Sequence, residues 1–183
     1  SAYCWGSDSN GQLGNSGPLA DQWSPVVVAG GHKFKSISLE GNFSCGLKPE
    51  GSIFCWGKND KGQLGDGTLI DKSSPVQVSD GHLTPEGLAF TSVAVGSYHS
   101  CGLVDKGIAY CWGGYDGNGG NTYGQIGDGT INQSFRPVRV SGNHEFVSVA
   151  VGSEHSCGLT AAGDAYCWGR NTMGQLGPGN KTD

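Results

Sequence analysis

A repeated tripeptide constrains this sequence more than any other feature. Cys-Trp-Gly occurs four times, and its cysteines are Cys4, Cys55, Cys111 and Cys167. A Gly-Gln-Leu/Ile-Gly segment follows each copy, and Ser-Cys-Gly-Leu precedes the last three. The cysteines recur at intervals of 51, 56 and 56 residues. A period of this length is typical of an array of similar structural units.

Each unit consists of short β-type runs separated by turn residues. In the last unit we predict strands over 146–151, 155–159 and 165–168, and a fourth kind of strand over segments such as 137–140. A proline at the start of that fourth strand suits an outer edge, where a missing N–H costs little. Glycine supplies 34 of the 183 residues, which disfavours long helices. Four short strands in roughly 50 residues are typical of a propeller blade.

The fold class predicted from these features is all-β, an incomplete β-propeller of about three and a half four-stranded antiparallel blades. The repeat places the end of one blade at 1–33, a complete blade at 34–89, a blade with a 114–123 insertion at 90–145, and a blade without its last strand at 146–183. Such an array cannot close a ring, since propellers typically use 4–8 blades. We therefore expect the remaining blades to come from the same chain or from another.

Six of the seven cysteines form three pairs with a ten-residue spacing: Cys45 and Cys55, Cys101 and Cys111, and Cys157 and Cys167. A three-residue turn with a left-handed glycine places such a pair directly opposite on adjacent strands, at a Cα separation of about 4.5–5.5 Å that a disulfide accepts. Zinc ligation and free thiols are the alternatives, although zinc usually takes more closely spaced pairs. Three regular disulfides would point to an oxidising, extracellular compartment.

Cys4 is the odd cysteine. A partner at the ten-residue spacing would lie outside this sequence, so we expect Cys4 to be unpaired because the sequence is truncated there.

The charge balance limits the possible partners. The sequence has 11 Lys and Arg against 16 Asp and Glu, a net charge of −5, which argues against binding to nucleic acid. No apolar run approaches the roughly 18 residues that span a bilayer, so we expect no membrane insertion.

No residue presents itself as catalytic, cofactor-binding or metal-binding. His99 and Ser100 are neighbours on a predicted strand and point to opposite faces, which excludes a shared reaction centre. The tryptophans of the Cys-Trp-Gly motifs recur in every unit, which favours packing between blades over binding of carbohydrate. The 114–123 insertion resembles a calcium loop but lacks the required acidic positions.

The candidates for binding a protein or a glycan lie outside the repeat pattern. They are Trp23, which we assign to the 15–24 loop, and two tyrosines of the insertion, Tyr115 and Tyr123. Three Asn-x-Ser/Thr sequences make Asn42, Asn132 and Asn180 candidate glycosylation sites.

The frame from Phe146 to Gly177, with His-Ser-Cys-Gly-Leu, Tyr-Cys-Trp-Gly and Gly-Gln-Leu-Gly, closely resembles the regulator-of-chromosome-condensation repeat. That resemblance implies a β-propeller, which has seven blades in the family. It leaves function open, because the family includes a nuclear guanine-nucleotide exchange factor that binds chromatin, a secreted bacterial inhibitor of β-lactamases and plant receptor kinases of the crinkly type. The paired cysteines resemble the secreted or cell-surface branch.

The sequence therefore predicts a non-catalytic extracellular propeller module that binds protein or glycan through its loops, or forms a structural part of a secreted or cell-surface assembly. One alternative is a secreted proteinaceous inhibitor of an enzyme, and another is a regulator similar to a guanine-nucleotide exchange factor.

Overall fold

Thirteen short strands form four antiparallel sheets in the computed structural model, which describes residues 1–81, 87–114, 120–177 and 179. The first sheet has two strands, β1 (Tyr3–Gly6) and β2 (Gln22–Val27). The second contains β3 (Ser36–Glu40), β4 (Phe43–Leu47), β5 (Ile53–Gly57) and β6 (Lys72–Gln77). The third contains β7 (Phe90–Val95), β8 (His99–Val104), β9 (Ala109–Gly113) and β10 (Ser134–Arg139). The fourth contains β11 (Phe146–Val151), β12 (His155–Thr160) and β13 (Ala165–Gly169).

Each sheet follows the chain order, so neighbouring strands in the sequence are neighbours in space. Short 3₁₀ turns occur at Ala29–Gly31 and Asp105–Gly107, and the described residues include no α-helix. No helix in this part of the chain is long and apolar enough to cross a membrane. The predicted all-β blade architecture is confirmed.

The turn between β4 and β5 sets the register of the second sheet. The Lys48 amide donates to the Ser52 carbonyl at 2.9 Å, and Gly51 has a φ of 92°, which a side chain would disfavour. Cys45 consequently lies directly opposite Cys55. The same register recurs in the third and fourth sheets, and the structure contains the three disulfides Cys45–Cys55, Cys101–Cys111 and Cys157–Cys167.

The prediction for the fourth strand was wrong in its position. In the third sheet this strand, β10, begins at Ser134, so that Pro137 lies inside it rather than at its start. Between Ser134 and Val138 the register shifts, so three residues of β10 face the single residue Trp112 of β9. A bulge on an outer edge strand accommodates proline because no ladder hydrogen bond needs its N–H there.

The apolar core lies between neighbouring sheets rather than at one centre. One buried cluster joins Phe43 of the second sheet to Phe90 and Trp112 of the third. Equivalent clusters lie between the third and fourth sheets and between the first and second. Each sheet is therefore stabilised mainly by burial against its neighbours.

A buried asparagine holds the loop after the third strand of the second sheet. Asn59 Oδ1 accepts the Leu64 amide at 3.0 Å, and Nδ2 donates to the carbonyls of Thr68 and Ile70 at 3.0 and 3.2 Å. Asn121 and Asn171 also accept the amide five residues on.

The first sheet has an aspartate at this position. Asp8 is fully buried, and its Oδ1 accepts the Leu13 amide at 2.9 Å. Its Oδ2 has no hydrogen-bond partner. A carboxylate oxygen has no hydrogen to give to the loop carbonyls that asparagine would bind, so Asp8 lacks half of the anchor.

Asp8→Asn should raise the free energy of unfolding by about 1–3 kcal/mol. The change replaces the unsatisfied oxygen of Asp8 with an amide N–H that can donate to the loop carbonyls. The reverse change, Asn59→Asp, should lower it by a similar amount. Urea unfolding followed by tryptophan fluorescence measures both. A loss of stability in Asp8→Asn would contradict this account of the loop.

Candidate interaction surfaces

The glutamine of the Gly-Gln-Leu/Ile-Gly segment joins one sheet to the next through its main chain. The Gln63 carbonyl accepts the Ser100 hydroxyl at 2.9 Å and the Trp112 indole Nε1–H at 3.0 Å. Gln12 accepts the same pair of bonds from the second sheet, and Gln125 accepts them from the fourth, through Ser44 with Trp56 and Ser156 with Trp168.

The glutamine side chain shapes the same loop. Gln63 Oε1 accepts the amide of Lys61, two residues earlier, at 2.8 Å, and Gln12 and Gln175 make the same contact. The following Gly65 has a φ of 69°, and a Cβ there would lie 2.6 Å from the Trp112 indole. The repeated segment is thus a socket for the tryptophan of the next unit.

Three of the four motif tryptophans pack between sheets, as the sequence predicted. Trp56 and Trp112 are completely buried, and Trp168 is half-buried. Trp5 occupies the same position in β1, yet 64% of it is exposed. The first sheet thus presents an indole for which the described residues provide no socket.

Trp112→Phe should lower the free energy of unfolding by about 2–4 kcal/mol, because it removes a buried donor and leaves a cavity. The matched variant Trp5→Phe should change it by less than about 0.5 kcal/mol, because its indole faces solvent. Thermal and urea denaturation of both variants measure the difference. Equal losses would rule out the socket as the source of stability.

Trp23 lies in β2 and not in a loop, contrary to the prediction. The equivalent residues, two positions before the strand proline, are Ser73 and Phe135. A Cβ on Gly11 would lie 2.7 Å from Ser73, and one on Gly62 would lie 2.5 Å from the Phe135 ring. The Ser73 main chain and the Phe135 ring thus lie against the preceding unit, whereas 96% of Trp23 is exposed. The sequence analysis placed the start of this kind of strand at the proline and therefore assigned Trp23 to a loop. In the structure β2 begins at Gln22, before Pro25.

His99 also connects two sheets. It is fully buried, and its Nε2 lies 2.7 Å from the Ser156 hydroxyl oxygen. Burial of the ring is the main cause that lowers the pKa of His99 to about 3, and repulsion from His155 is the second cause. Ser156 is also fully buried, so the pair has no access to a substrate. In β4 the same position holds Phe43, which is consistent with a packing role.

Protonation of His99 should therefore destabilise the fold. Its folded pKa of about 3 lies below the roughly 6.5 of an unfolded histidine, so the unfolded chain binds the extra proton. Stability should be fully present above pH ~6.5 and fall by about 1.4 kcal/mol per pH unit below it until pH reaches the folded pKa.

Urea midpoints between pH 7 and pH 5 measure this slope, and His99→Phe should reduce it. The corresponding His155→Phe should leave most of the slope in place because it retains His99. An unchanged slope in His99→Phe would assign the pH dependence to other groups.

The other candidate residues for partner binding and glycosylation differ in how far they are exposed. Tyr123 is half-buried beneath Arg170, whose guanidinium carbon lies 5.1 Å from the ring centre. Asn42 and Asn132 are exposed. Tyr115 and Asn180 lie outside the described residues. Of these candidates, Tyr123 faces the next sheet, which leaves only part of its ring for a partner.

A row of exposed aliphatic side chains marks the loops between the third and fourth strands. Leu19, Leu69 and Ile131 each lie six residues before the strand proline, and each is exposed. We call these three residues the aliphatic rim. The turns between the second and third strands, such as the one containing Glu50, lie at the opposite end of the sheets because the strands are antiparallel. Sequence reasoning missed the rim, although its regular spacing could have revealed it.

The described residues contain no group of three or more His, Cys, Asp or Glu side chains arranged to hold a metal ion. The polar groups that recur from unit to unit bond to one another within and between sheets.

Comparison with known families settles what kind of repeat this is. The Regulator of chromosome condensation (RCC1) repeat model matches residues 1–47, 50–103 and 106–159, and a second RCC1 repeat model matches 34–63 and 146–175. The chain belongs to the RCC1 repeat family. The resemblance predicted from the motifs is confirmed.

Several RCC1 relatives align with nearly the whole chain. Human E3 ubiquitin-protein ligase HERC2 is 33% identical over 184 residues, which cover 97% of this chain and 4% of that protein. The Ultraviolet-B receptor UVR8 of Arabidopsis thaliana is 33% identical over 169 residues, which cover 89% of this chain and 36% of that protein.

The crystal structure of Prp20p from Saccharomyces cerevisiae superposes with a TM-score of 0.79 at 28% identity, over 97% of this chain and 43% of that one. The chain therefore spans less than half the length of each of these relatives.

Proposed function

We propose that this RCC1-repeat chain is a non-catalytic module that binds a partner protein through the aliphatic rim. The observation that carries the proposal is the recurrence of an exposed aliphatic residue at one position in three successive loops. All three lie at the end of the sheets that carries the loops between the third and fourth strands, and exposed apolar side chains on one face suit a protein partner. The repeated polar residues, by contrast, already bond to the main chain and to one another within and between sheets.

Protein binding also agrees with a relative. The crystal structure of Prp20p was described together with its binding properties to Gsp1p and histones. A second candidate function is regulation of a partner of the Gsp1p kind, which this similarity favours. A glycan partner and inhibition of an enzyme are separate possibilities that photocrosslinking distinguishes.

An extracellular location is part of the proposal. Three disulfides at equivalent positions support an oxidising compartment, because such bonds rarely persist among reducing thiols. The location rests on these cysteines and not on the relatives, one of which is named as mitochondrial. Asn42 and Asn132 would be accessible to glycosylation in a secretory pathway.

Two exposed tryptophans of the first sheet support a second kind of partner, namely additional repeats. The exposed Trp5 and Trp23 occupy positions that contact the preceding unit elsewhere in the chain. Additional RCC1 repeats, in the same chain or another, would cover them. The remaining blades are thus proposed as partners of the first sheet.

Site-specific photocrosslinking tests the rim. A benzophenone amino acid at position 69 should crosslink a protein from the native surroundings, whereas one at Glu50, exposed at the opposite end, should not. The captured protein, once purified, should bind the unmodified chain. Changing the three rim residues to serine should weaken that binding at least tenfold, because each buried aliphatic group contributes about 1.5 kcal/mol or more, and the melting temperature should not change.

The alternatives give different results. Crosslinking that disappears after glycosidase treatment would indicate a glycan partner, and a captured hydrolase that loses activity would indicate an inhibitor. Faster nucleotide release from a captured nucleotide-binding protein would favour the second candidate function. Equal crosslinking at positions 69 and 50 would overturn the rim as the binding surface.

A further inference from the structure

A cluster of oxygen atoms surrounds one side-chain nitrogen in the loop after β5. Four oxygens lie 3.0–3.2 Å from Asn59 Nδ2, namely Asp66 Oδ1, the carbonyl and hydroxyl oxygens of Thr68, and the Ile70 carbonyl oxygen. The two N–H groups of the Asn59 amide are the donors for these acceptors. The loop after β1 has the carboxylate of Asp8 at the same position, so an oxygen replaces the donor there.

Matching hydrogen bonds align the first halves of the two loops. Asp8 Oδ1 accepts the amide five residues on at 2.9 Å, as Asn59 Oδ1 does at 3.0 Å. Asn15 Oδ1 accepts the amide of Gly17, two residues on, at 3.0 Å, and its counterpart in the second sheet makes the same bond at 2.9 Å. The Gly17 carbonyl therefore corresponds to that of Thr68 in the oxygen cluster.

The ends of the loops align in the same way. Asp21 Oδ1 accepts the Asp8 amide at 3.1 Å, as the equivalent aspartate of the second sheet accepts the Asn59 amide at 2.7 Å. The residue before each aspartate therefore corresponds, which places the Ala20 carbonyl where the second sheet has that of Ile70. All of these groups belong to residues 8–21, a loop that the structure describes completely.

The second carboxylate oxygen of Asp8 points toward these carbonyls without a donor. Because Oδ1 makes the same bond as Asn59 Oδ1, Oδ2 takes the direction of the amide nitrogen. Asp8 is fully buried, and its Oδ2 has no hydrogen-bond partner. A buried anion beside carbonyl oxygens is unfavourable unless a positive charge accompanies it.

The side chains of the described residues do not supply that charge. In the second sheet, Lys72 Nζ lies 3.6 Å from a carboxylate oxygen of Asp66. The residue at the lysine position in the first sheet is Gln22, which is neutral. Neither Asp8 nor Asp21 makes an ion pair within the described part of the chain. The loop therefore has two carboxylates and no compensating cation of its own.

Gly17 also leaves space that a side chain fills in the second sheet. The Thr68 hydroxyl completes the oxygen cluster around Asn59, whereas Gly17 has no side chain. The nearest atoms to a Cβ placed on Gly17 are those of Asn15, at 3.3–3.5 Å. Gly17 is partly exposed and Ala20 is exposed, so water has access to this side of the loop.

We propose that the loop of residues 8–21 binds a calcium ion through Asp8 Oδ2 and the carbonyls of Gly17 and Ala20. Calcium takes about six to eight oxygen ligands in irregular geometry, including carboxylates, main-chain carbonyls and water. Water would fill the positions that the protein leaves open. One buried carboxylate with main-chain oxygens forms this site, so it does not require a group of three acidic side chains.

Calcium would also fix one residue of the aliphatic rim. Leu19 lies between the two carbonyl ligands in the sequence, so binding of the ion would restrict the segment that carries it. The calcium site goes beyond the proposed function and does not depend on it. Crosslinking at position 69 tests the rim in a different loop, so failure of either experiment would leave the other proposal standing.

Calcium titrated into the 183-residue protein, after treatment with a chelator, tests the site directly. Calorimetry should find one site with a Kd of roughly 10⁻⁴–10⁻³ M, the range of extracellular calcium modules. The urea midpoint should rise with the logarithm of the calcium concentration above Kd. At about ten times Kd, opening of the loop should be about tenfold rarer, so hydrogen exchange of the Leu13 amide should slow by that factor.

Three variants test the assignment of the ligands. Asp8→Asn should remove the response to calcium, although it should be more stable than the wild type in chelator. Gln22→Lys keeps Asp8 but adds the charge that the second sheet has, so it should weaken calcium binding by about tenfold or more. Asp128→Asn is the matched control, because it removes an exposed carboxylate from the equivalent loop of the third sheet and should keep the wild-type affinity.

An equal response to calcium in the wild type and in Asp8→Asn would overturn the proposal. Absence of calcium binding to the wild type would also overturn it and would leave a proton as the partner of Asp8. Equal or tighter binding of magnesium or sodium would overturn the choice of ion, because the irregular oxygen set suits calcium better than the octahedral preference of magnesium. Circular dichroism checks that each variant is folded.

Discussion

In each of the first three units a single main-chain carbonyl, that of Gln12, Gln63 or Gln125, bonds one sheet to the next. It belongs to a glutamine whose side chain folds back on its own loop, and it accepts a hydroxyl and an indole from the following sheet. Both donors and the acceptor are buried, so a mismatch in this arrangement would leave polar groups unsatisfied in an apolar interface. The spacing and orientation of neighbouring sheets depend on satisfying these bonds.

The disulfides stabilise the strands within one sheet rather than the contact between sheets. Each joins two adjacent strands of one sheet across a short turn. A four-stranded unit of about 50 residues has a small core of its own, and a cross-link limits the conformations of the unfolded segment. Strand pairing within a unit is thus reinforced covalently, whereas contact between units relies on burial and hydrogen bonds.

Local features of the fold were predictable from the sequence because they depend on short separations. The ten-residue cysteine spacing and the left-handed Gly51 suffice to derive the register of β4 with β5. The contact of His99 with Ser156 was not predictable, because these residues are 57 positions apart and meet only through the angle between two sheets. The prediction for Trp23 was wrong for another reason, because a bulge lets its strand begin before the proline.

The candidate surfaces were likewise only partly predictable from the sequence. Regular spacing could have revealed the aliphatic rim, since Leu19, Leu69 and Ile131 share one position relative to the proline. The exposure that makes them a surface depends on the packing of the loops. The unpaired oxygen of Asp8 depends on the burial of a carboxylate where other units bury an amide, which a sequence pattern alone does not reveal.

Because no disulfide in the described residues crosses from one sheet to the next, the molecule has a defined mechanical weak point. Tension applied along the polypeptide would load the contacts between sheets and the hydrogen bonds of the outer strands, because neither is cross-linked. The central hairpin of each cross-linked sheet would keep its shape, so the extension released under load would exclude the segment between its two cysteines.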